Sequence, residues 1–280
     1  MENTSLTSAR FVGEYEKLAD RAGEALRKYL GNPNEENTRN VRASVRRMNT
    51  CIGILPKKAR SKTVRQRRDR SRKLLALTSE VRDNDMIRAR LSGRAGDPTV
   101  DLLLKNMGEE REKHAVDSMK AAWKLFELRG PKLTKKEAAR VSQWVKRALE
   151  ELDEEIGAEL TIVVKSEGRI DELHSLRKHA KRFRYALELI PPTRRSSKVV
   201  QGLKEWQDVL GKIRDSDVVI EYLGRARPST VIKEMLLTER SLRHRRYLAF
   251  VRASRRGSHE KNAFLLASTG LKKATSKSGS

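Results

Sequence analysis

Aromatic residues are scarce in this 280-residue chain: Phe, Trp and Tyr make up 5% of it. That is too few for the stacking platforms on which binders of single-stranded nucleic acid hold successive bases. Cysteine is nearly absent as well. The single Cys51 excludes a disulfide framework and a cysteine-based zinc site, and reads as a small buried hydrophobe. No apolar run approaches the ~18 residues of a membrane span, and Met1–Arg10 has no signal-peptide core, so a cytoplasmic, reducing setting is expected. There is no convincing strand alternation, no Gly-rich phosphate loop, no carboxylate cluster and no His/Asp/Glu group at zinc spacing. No catalytic residue, metal or cofactor is therefore assigned, and the chain is expected not to be an enzyme.

Negative charge is short too, and unevenly so. Lys and Arg number 62 against 37 Asp and Glu, a net charge of +25, which predicts a polyanionic partner. Between Arg39 and Lys73 there are fourteen basic residues and one acid, Asp69. The acids collect elsewhere, above all at Glu150, Glu151, Asp153, Glu154 and Glu155.

The most informative stretch is HSLRKHAKRFRY, His174–Tyr185. Leu173, Leu176, Ala180, Phe183, Leu187 and Ile190 recur at spacings of three and four and so form one helical stripe. His174, Arg177, Lys181 and Arg184 form the opposite stripe. His179 falls on the apolar side and is expected to be a core histidine. Like charges three and four residues apart repel by ~0.2–0.5 kcal/mol per pair, and a solvated face would interleave acids to relieve this. None lies between His174 and Arg184. Successive cations advance by about one turn, ~5.4 Å, which suits a phosphate polymer, and guanidinium forks match phosphate oxygens.

The pattern occurs twice. In RNVRASVRRMNT, Arg39, Arg42, Arg46 and Asn49 each stand 135 residues before His174, Arg177, Lys181 and Arg184, beside an apolar stripe of Val41, Val45, Met48, Ile52 and Leu55. EVRDNDMI at Glu80–Ile87 and KIRDSDVV at Lys212–Val219 match at an offset of 132. Equivalent elements in the same order indicate an internal duplication. The expected fold is all-α: two pseudo-twofold-related bundles of four to five helices, spanning 1–130 and 131–268, with a disordered basic tail at 269–280.

Along the chain, helices are expected over Thr7–Leu30, then from Arg39 to Pro56 after a loop at Asn34–Asn37, then over Ser61–Thr78. The Arg82-Asp83 and Arg214-Asp215 pairs are expected to break the run and begin short helices, with Asp83, Asp85, Asp215 and Asp217 capping them and orienting neighbouring arginines. Longer helices follow at Thr99–Leu128, Thr134–Val164 (opened by a Thr134/Glu137 capping box) and Ser229–Ser254, with another at Ser197–Gly211. Arg129-Gly130-Pro131 is the expected boundary between halves.

The layout H-x-x-R-x-x-x-K-R-x-R-Y, followed by L-x-x-x-R-D-x-D, resembles the CHAD family, the conserved-histidine α-helical domains. The likeness runs from about Leu6 to about Leu266. It is strongest in HSLRKHAKRFRYALEL and LKEWQDVLGKIRDSDV. In the first half, Arg39 stands where the family usually has histidine and Asn49 where it usually has arginine. The resemblance implies two packed helical bundles with a basic channel that binds inorganic polyphosphate, His174 as a phosphate donor, and Arg82 and Arg214 at the channel ends. The residues taken as primary contacts are Arg42, Arg46, Arg47, His174, Arg177, Lys181, Arg182 and Arg184. Arg39, Arg82, Arg111, Lys113, His114, Lys204, Arg214, Arg240 and Arg243 form a second rank. Arg47 and Arg182 lie off the centre of the row, which leaves pairing with the aspartates as their alternative. The expected function is non-enzymatic polyphosphate binding, in the cytoplasm or at polyphosphate granules and the proteins associated with them. The alternatives are a non-specific nucleic-acid binder, an enzyme acting on phosphoanhydrides, and a scaffold using the basic Ser61–Lys73 surface.

Overall fold

The structure, a computed structural model, describes residues 7–128 and 140–256. Within them the chain forms eight α-helices and no strand: α1 Ser8–Gly31, α2 Glu35–Ile54, α3 Lys62–Leu91, α4 Pro98–Phe126, α5 Val141–Val163, α6 Ile170–Leu187, α7 Arg194–Arg225 and α8 Thr230–Arg256. Short 3-10 turns at Lys57–Ala59 and Ser92–Arg94 connect α2 to α3 and α3 to α4. The expected all-α class holds. The boundary at Arg129-Gly130-Pro131, the Thr134/Glu137 box and the 269–280 tail lie outside the described residues.

Local signals set most of the helix starts. Asn34 caps α2 by accepting from the Asn37 amide at 2.8 Å. Glu35–Asn37, expected as loop, are thus the first turn of α2, where two glutamates meet the positive end of the helix dipole. Asp97 accepts from the amides of Thr99 (2.9 Å) and Val100 (3.2 Å), with Pro98 at the first helical position, where its missing N–H costs nothing.

The two RD-x-D stretches overturn an expectation. Neither breaks its helix: α3 runs through Arg82–Asp85 and α7 runs through Arg214–Asp217. There is no short helix for these aspartates to cap. Asp and Asn are poor helix formers, but here tertiary contacts outweigh propensity. Val81 and Ile87 are buried on either side of the first stretch, and the buried Asn84 donates to the Met107 carbonyl at 2.9 Å. In the second, the fully buried Ser216 faces Arg246 Nη1 at 2.5 Å.

The described chain forms two compact units. One contains α5, α6, α7 as far as Asp217 and α8 from Arg240, with the start of α1 up to Phe11. Its core joins the buried stripe of α5 (Val141, Val145, Leu149, Leu152, Ile156, Leu160, Val163) to that of α6 (Leu173, Leu176, Ala180, Phe183, Leu187). Trp206 meets Phe250 edge-on, ring centroids 5.9 Å apart, and Tyr247 donates to the Val163 carbonyl at 2.9 Å. The other unit contains α1 from Val12, α2, α3, α4 and the segment Val218–Glu239. There Val218, Val219, Leu223 and Ile232 join Ile87, Leu91, Val100 and Met107 in one apolar cluster. Tyr29 and Ser118 share a buried hydroxyl hydrogen bond of 2.5 Å.

Candidate anion-binding rows

In the unit built on α5 and α6, the apolar stripe of α6 goes into the core and the cationic stripe comes out at its edge. His174, Arg177 and Lys181 are half-buried and Arg184 is buried, while Arg182, off the stripe, is exposed. Arg184 donates to Glu188 at 3.2 Å and lies over the Tyr185 ring, 4.7 Å from its centroid. Burial first, then the charges of Arg177, Lys178 and Arg214, push the His174 imidazole down to about 3. Arg214 on α7 therefore belongs to the electrostatic neighbourhood of His174. His174 is neutral at pH 7, and its buried Nδ1 has no protein hydrogen-bond partner among the described residues. Lys204, further back on α7, is exposed.

His179 is not a core histidine. Its Nδ1 lies 3.0 Å from Glu159 and its Nε2 3.4 Å from Glu155, so it ties α6 to the acidic face of α5. The periodicity put it on the apolar side; the carboxylates of the neighbouring helix were not visible in that pattern.

In the other unit the α2 row is treated differently. Arg42 is 8% exposed and turned into α3, donating to the Leu75 carbonyl and Thr78 hydroxyl at 2.9 Å each and to Ser79 at 3.3 Å. Arg46, Arg47 and Asn49 are half-buried, and Asn49 Oδ1 is buried without a protein partner among the described residues. Arg39 is exposed and pairs with Glu35 one turn earlier at 3.2 Å. Arg82 donates to the adjacent Asp83 at 3.1 Å. Lys113 is exposed and His114 half-buried on α4.

Arg111 and Arg243, read from sequence as outer phosphate contacts, are engaged in ion pairs. Arg111 Nε donates to Asp85 at 2.5 Å and its Nη2 to the Pro33 carbonyl at 3.0 Å. Arg243 Nε donates to Asp217 at 2.5 Å, its Nη1 to the Glu167 carboxylate at 2.8 Å and its Nη2 to the Glu167 carbonyl at 3.2 Å. Each arginine thus joins the last acid of RD-x-D to the loop that precedes the cationic helix. Asp217 lies 132 residues after Asp85, and Arg243 lies 132 after Arg111. Asp85 and Asp217 do orient arginines, those of the following long helix, while Asp83 accepts from the adjacent Arg82. Glu167, which also meets His244 Nδ1 at 2.6 Å, had no signature in the sequence pattern. Arg240, three residues before Arg243, is exposed.

Among the described residues no helix is long and apolar enough to cross a membrane, and no group of three or more His, Cys, Asp or Glu could hold a metal ion. A family model described as CHAD domain matches residues 15–224. No curated protein matches the chain in sequence. Among solved structures, the CHAD domain from the plant Ricinus communis aligns with a TM-score of 0.62 at 14% identity, covering 97% of this chain and 93% of that one. PptA from Streptomyces chartreusis aligns with a TM-score of 0.56 at 15% identity, covering 90% of this chain and all of that one. Both likenesses are of fold.

Proposed function

The chain belongs to the CHAD domain family, and from that premise we infer that it binds inorganic polyphosphate along its two cationic rows, without catalysing a reaction on it. The observation that carries this reading is the state of His174. A neutral imidazole with an unsatisfied buried nitrogen is kept from taking a proton first by its burial and then by the charges of Arg177, Lys178 and Arg214. Leaving a buried polar atom unmade costs about 1–3 kcal/mol. A phosphate oxygen would remove both penalties at once. It accepts a hydrogen bond from the ring, and its negative charge offsets the cations and lets His174 hold a proton. The acid-free interval from His174 to Arg184 supports the same reading, since a bound anion relieves the repulsion along the helix. Chain flexibility and one charge per phosphate fit a row that repeats about every turn.

The test is a charge reversal, Arg177→Glu with Lys181→Glu, titrated with long-chain polyphosphate. Two charge-assisted contacts at about 1.5 kcal/mol each predict at least a ~100-fold loss of affinity. Helical content should be unchanged and unfolding without ligand should shift by less than ~0.5 kcal/mol, because the substitution also removes like-charge repulsion. Normal binding by this variant would make the row a solvated face.

A further inference from the structure

The connection from α2 to α3 gathers more guanidinium groups than the row itself requires. α2 ends at Ile54, and its last carbonyls need donors from outside the helix. Arg60 supplies them: it is 8% exposed, its Nε donates to the Leu55 carbonyl at 2.7 Å and its Nη2 to the Gly53 carbonyl at 3.0 Å. Arg68 reaches the same residue from α3, with its Nη2 3.8 Å from where a side chain on Gly53 would begin. Arg72 follows one turn along α3. Burial first, then Arg68, then Arg72 lower the Arg60 guanidinium to about 10, and only Asp69 acts the other way. The cations at this elbow outnumber the carboxylates.

The elbow continues the row. On α2, Arg42, Arg46, Asn49 and Gly53 fall on one stripe at spacings of four, three and four. On α3, Arg68, Arg72, Leu75, Ser79 and Arg82 do the same. The stripes run side by side in opposite directions: Gly53 meets Arg68 at one end, and Arg42 meets Leu75 and Ser79 towards the other. The offset of 132 that relates Arg82 to Arg214 relates Arg72 to Lys204. At Arg68 the two halves differ, since Val200 stands at the equivalent place. They also differ at Asn49, where the other half has Arg184. Relative to the second half, the first half thus lacks a cation on α2 at Asn49 and carries an extra one on α3 at Arg68, which meets Gly53 one turn further along α2.

We propose that Arg68 and Arg72, held on the frame that Arg60 fixes, form an end subsite for the α2 row and take the phosphates of a polyphosphate chain that runs past Asn49. The proposal rests on the polyphosphate reading above and names residues that the reading does not include. From Arg46 to Gly53 the helix rises about 10 Å, so the subsite lengthens the row by roughly two turns.

The experiment is calorimetric titration with long-chain polyphosphate at physiological salt, without divalent metal. It compares the wild type with Arg68→Gln/Arg72→Gln and with Lys62→Gln/Lys73→Gln. The second pair removes the same charge from exposed positions off the stripe on the same helix. Arg72→Gln alone, at an exposed position, serves if the double variant unfolds. Expected is a loss of about tenfold or more for the Arg68/Arg72 variant, a smaller salt dependence by about one to two contacts, and a change within about twofold for the lysine pair. Equal losses in the two double variants would reduce the elbow to generic charge and overturn the subsite. So would unchanged binding by the Arg68/Arg72 variant while Arg177→Glu/Lys181→Glu abolishes it. No binding by the wild type would overturn the polyphosphate reading itself, and the subsite with it.

Discussion

Replacing Asp217 with alanine tests how the arginine–aspartate clamp is built. The Asp217 and Arg243 side chains are 8% and 9% exposed, so the substitution strands a buried guanidinium. Breaking one partner of a buried pair costs about 3–5 kcal/mol. Arg243 keeps Glu167 at 2.8 Å, which places the expected loss at the lower end, about 3 kcal/mol. With a urea slope of about 3 kcal/mol per molar, the unfolding midpoint drops by about 1 M. Burial raises the Asp217 carboxyl above the usual carboxylate range in spite of the hydrogen bond and charge of Arg243. Desolvation therefore outweighs the attraction, and the clamp confers geometry at a cost in solvation. Asp217→Ala combined with Arg243→Leu should then be more stable than Asp217→Ala alone, by about 1 kcal/mol or more in a double-mutant cycle. Glu35→Ala is the control, since its partner Arg39 is largely exposed and such pairs are worth about 0.5 kcal/mol or less. Urea unfolding followed by far-ultraviolet circular dichroism reads these three variants and the Arg243→Leu single variant that closes the cycle against the wild type. A midpoint shift for Asp217→Ala no larger than for Glu35→Ala, or a double variant worse than the single, would rule out a desolvated clamp at Asp217.

Three further outcomes follow from the structure. The folded pKa of His174 lies near 3, below its ordinary 6.5, so the stability it contributes is present above pH 6.5 and is lost as pH falls towards 3. The slope is at most about 1.4 kcal/mol per pH unit, and His174→Gln should flatten that part of the stability profile measured by urea unfolding between pH 4 and 7. Polyphosphate binding should raise the same pKa, seen as proton uptake when calorimetry at pH 6 is repeated in buffers of different ionisation enthalpy. Gly53→Ala should stabilise the protein by about 0.5–1 kcal/mol in thermal unfolding, because the position is helical and the nearest atom to the added carbon, Arg68 Nη2 at 3.8 Å, is at ordinary contact distance.

Helical period was enough to read the apolar stripes of α2 and α6, because Val41, Val45, Met48 and Leu173, Leu176, Ala180, Phe183 all reach the core. It was also enough to place His174, Arg177 and Lys181 on one edge. Period says nothing about what faces a stripe. Arg42 sits on the row by spacing, yet α3 offers it three acceptors and draws it inward. His179 sits on the apolar side by spacing, yet α5 presents Glu155 and Glu159 to it. RD-x-D reads as a helix break because Asp and Asn are weak formers locally, whereas Asn84, Asp85, Ser216 and Asp217 are held by residues of the next long helix, 23 to 30 positions away. For Asp85 and Asp217 the duplication marks the two partners as equivalent, without showing that they touch. The offset that pairs Asp85 with Asp217 also pairs Arg111 with Arg243, and carrying it back from Lys204 leads to Arg72.

The most direct measurement is calorimetric titration of the wild-type chain with long-chain polyphosphate, RNA and duplex DNA at matched phosphate concentration and physiological salt. Expected is tight polyphosphate binding that persists at that salt, with both nucleic acids much weaker. Equal affinities for all three that fall together as salt rises would contradict it and leave generic charge attraction as the function of the rows.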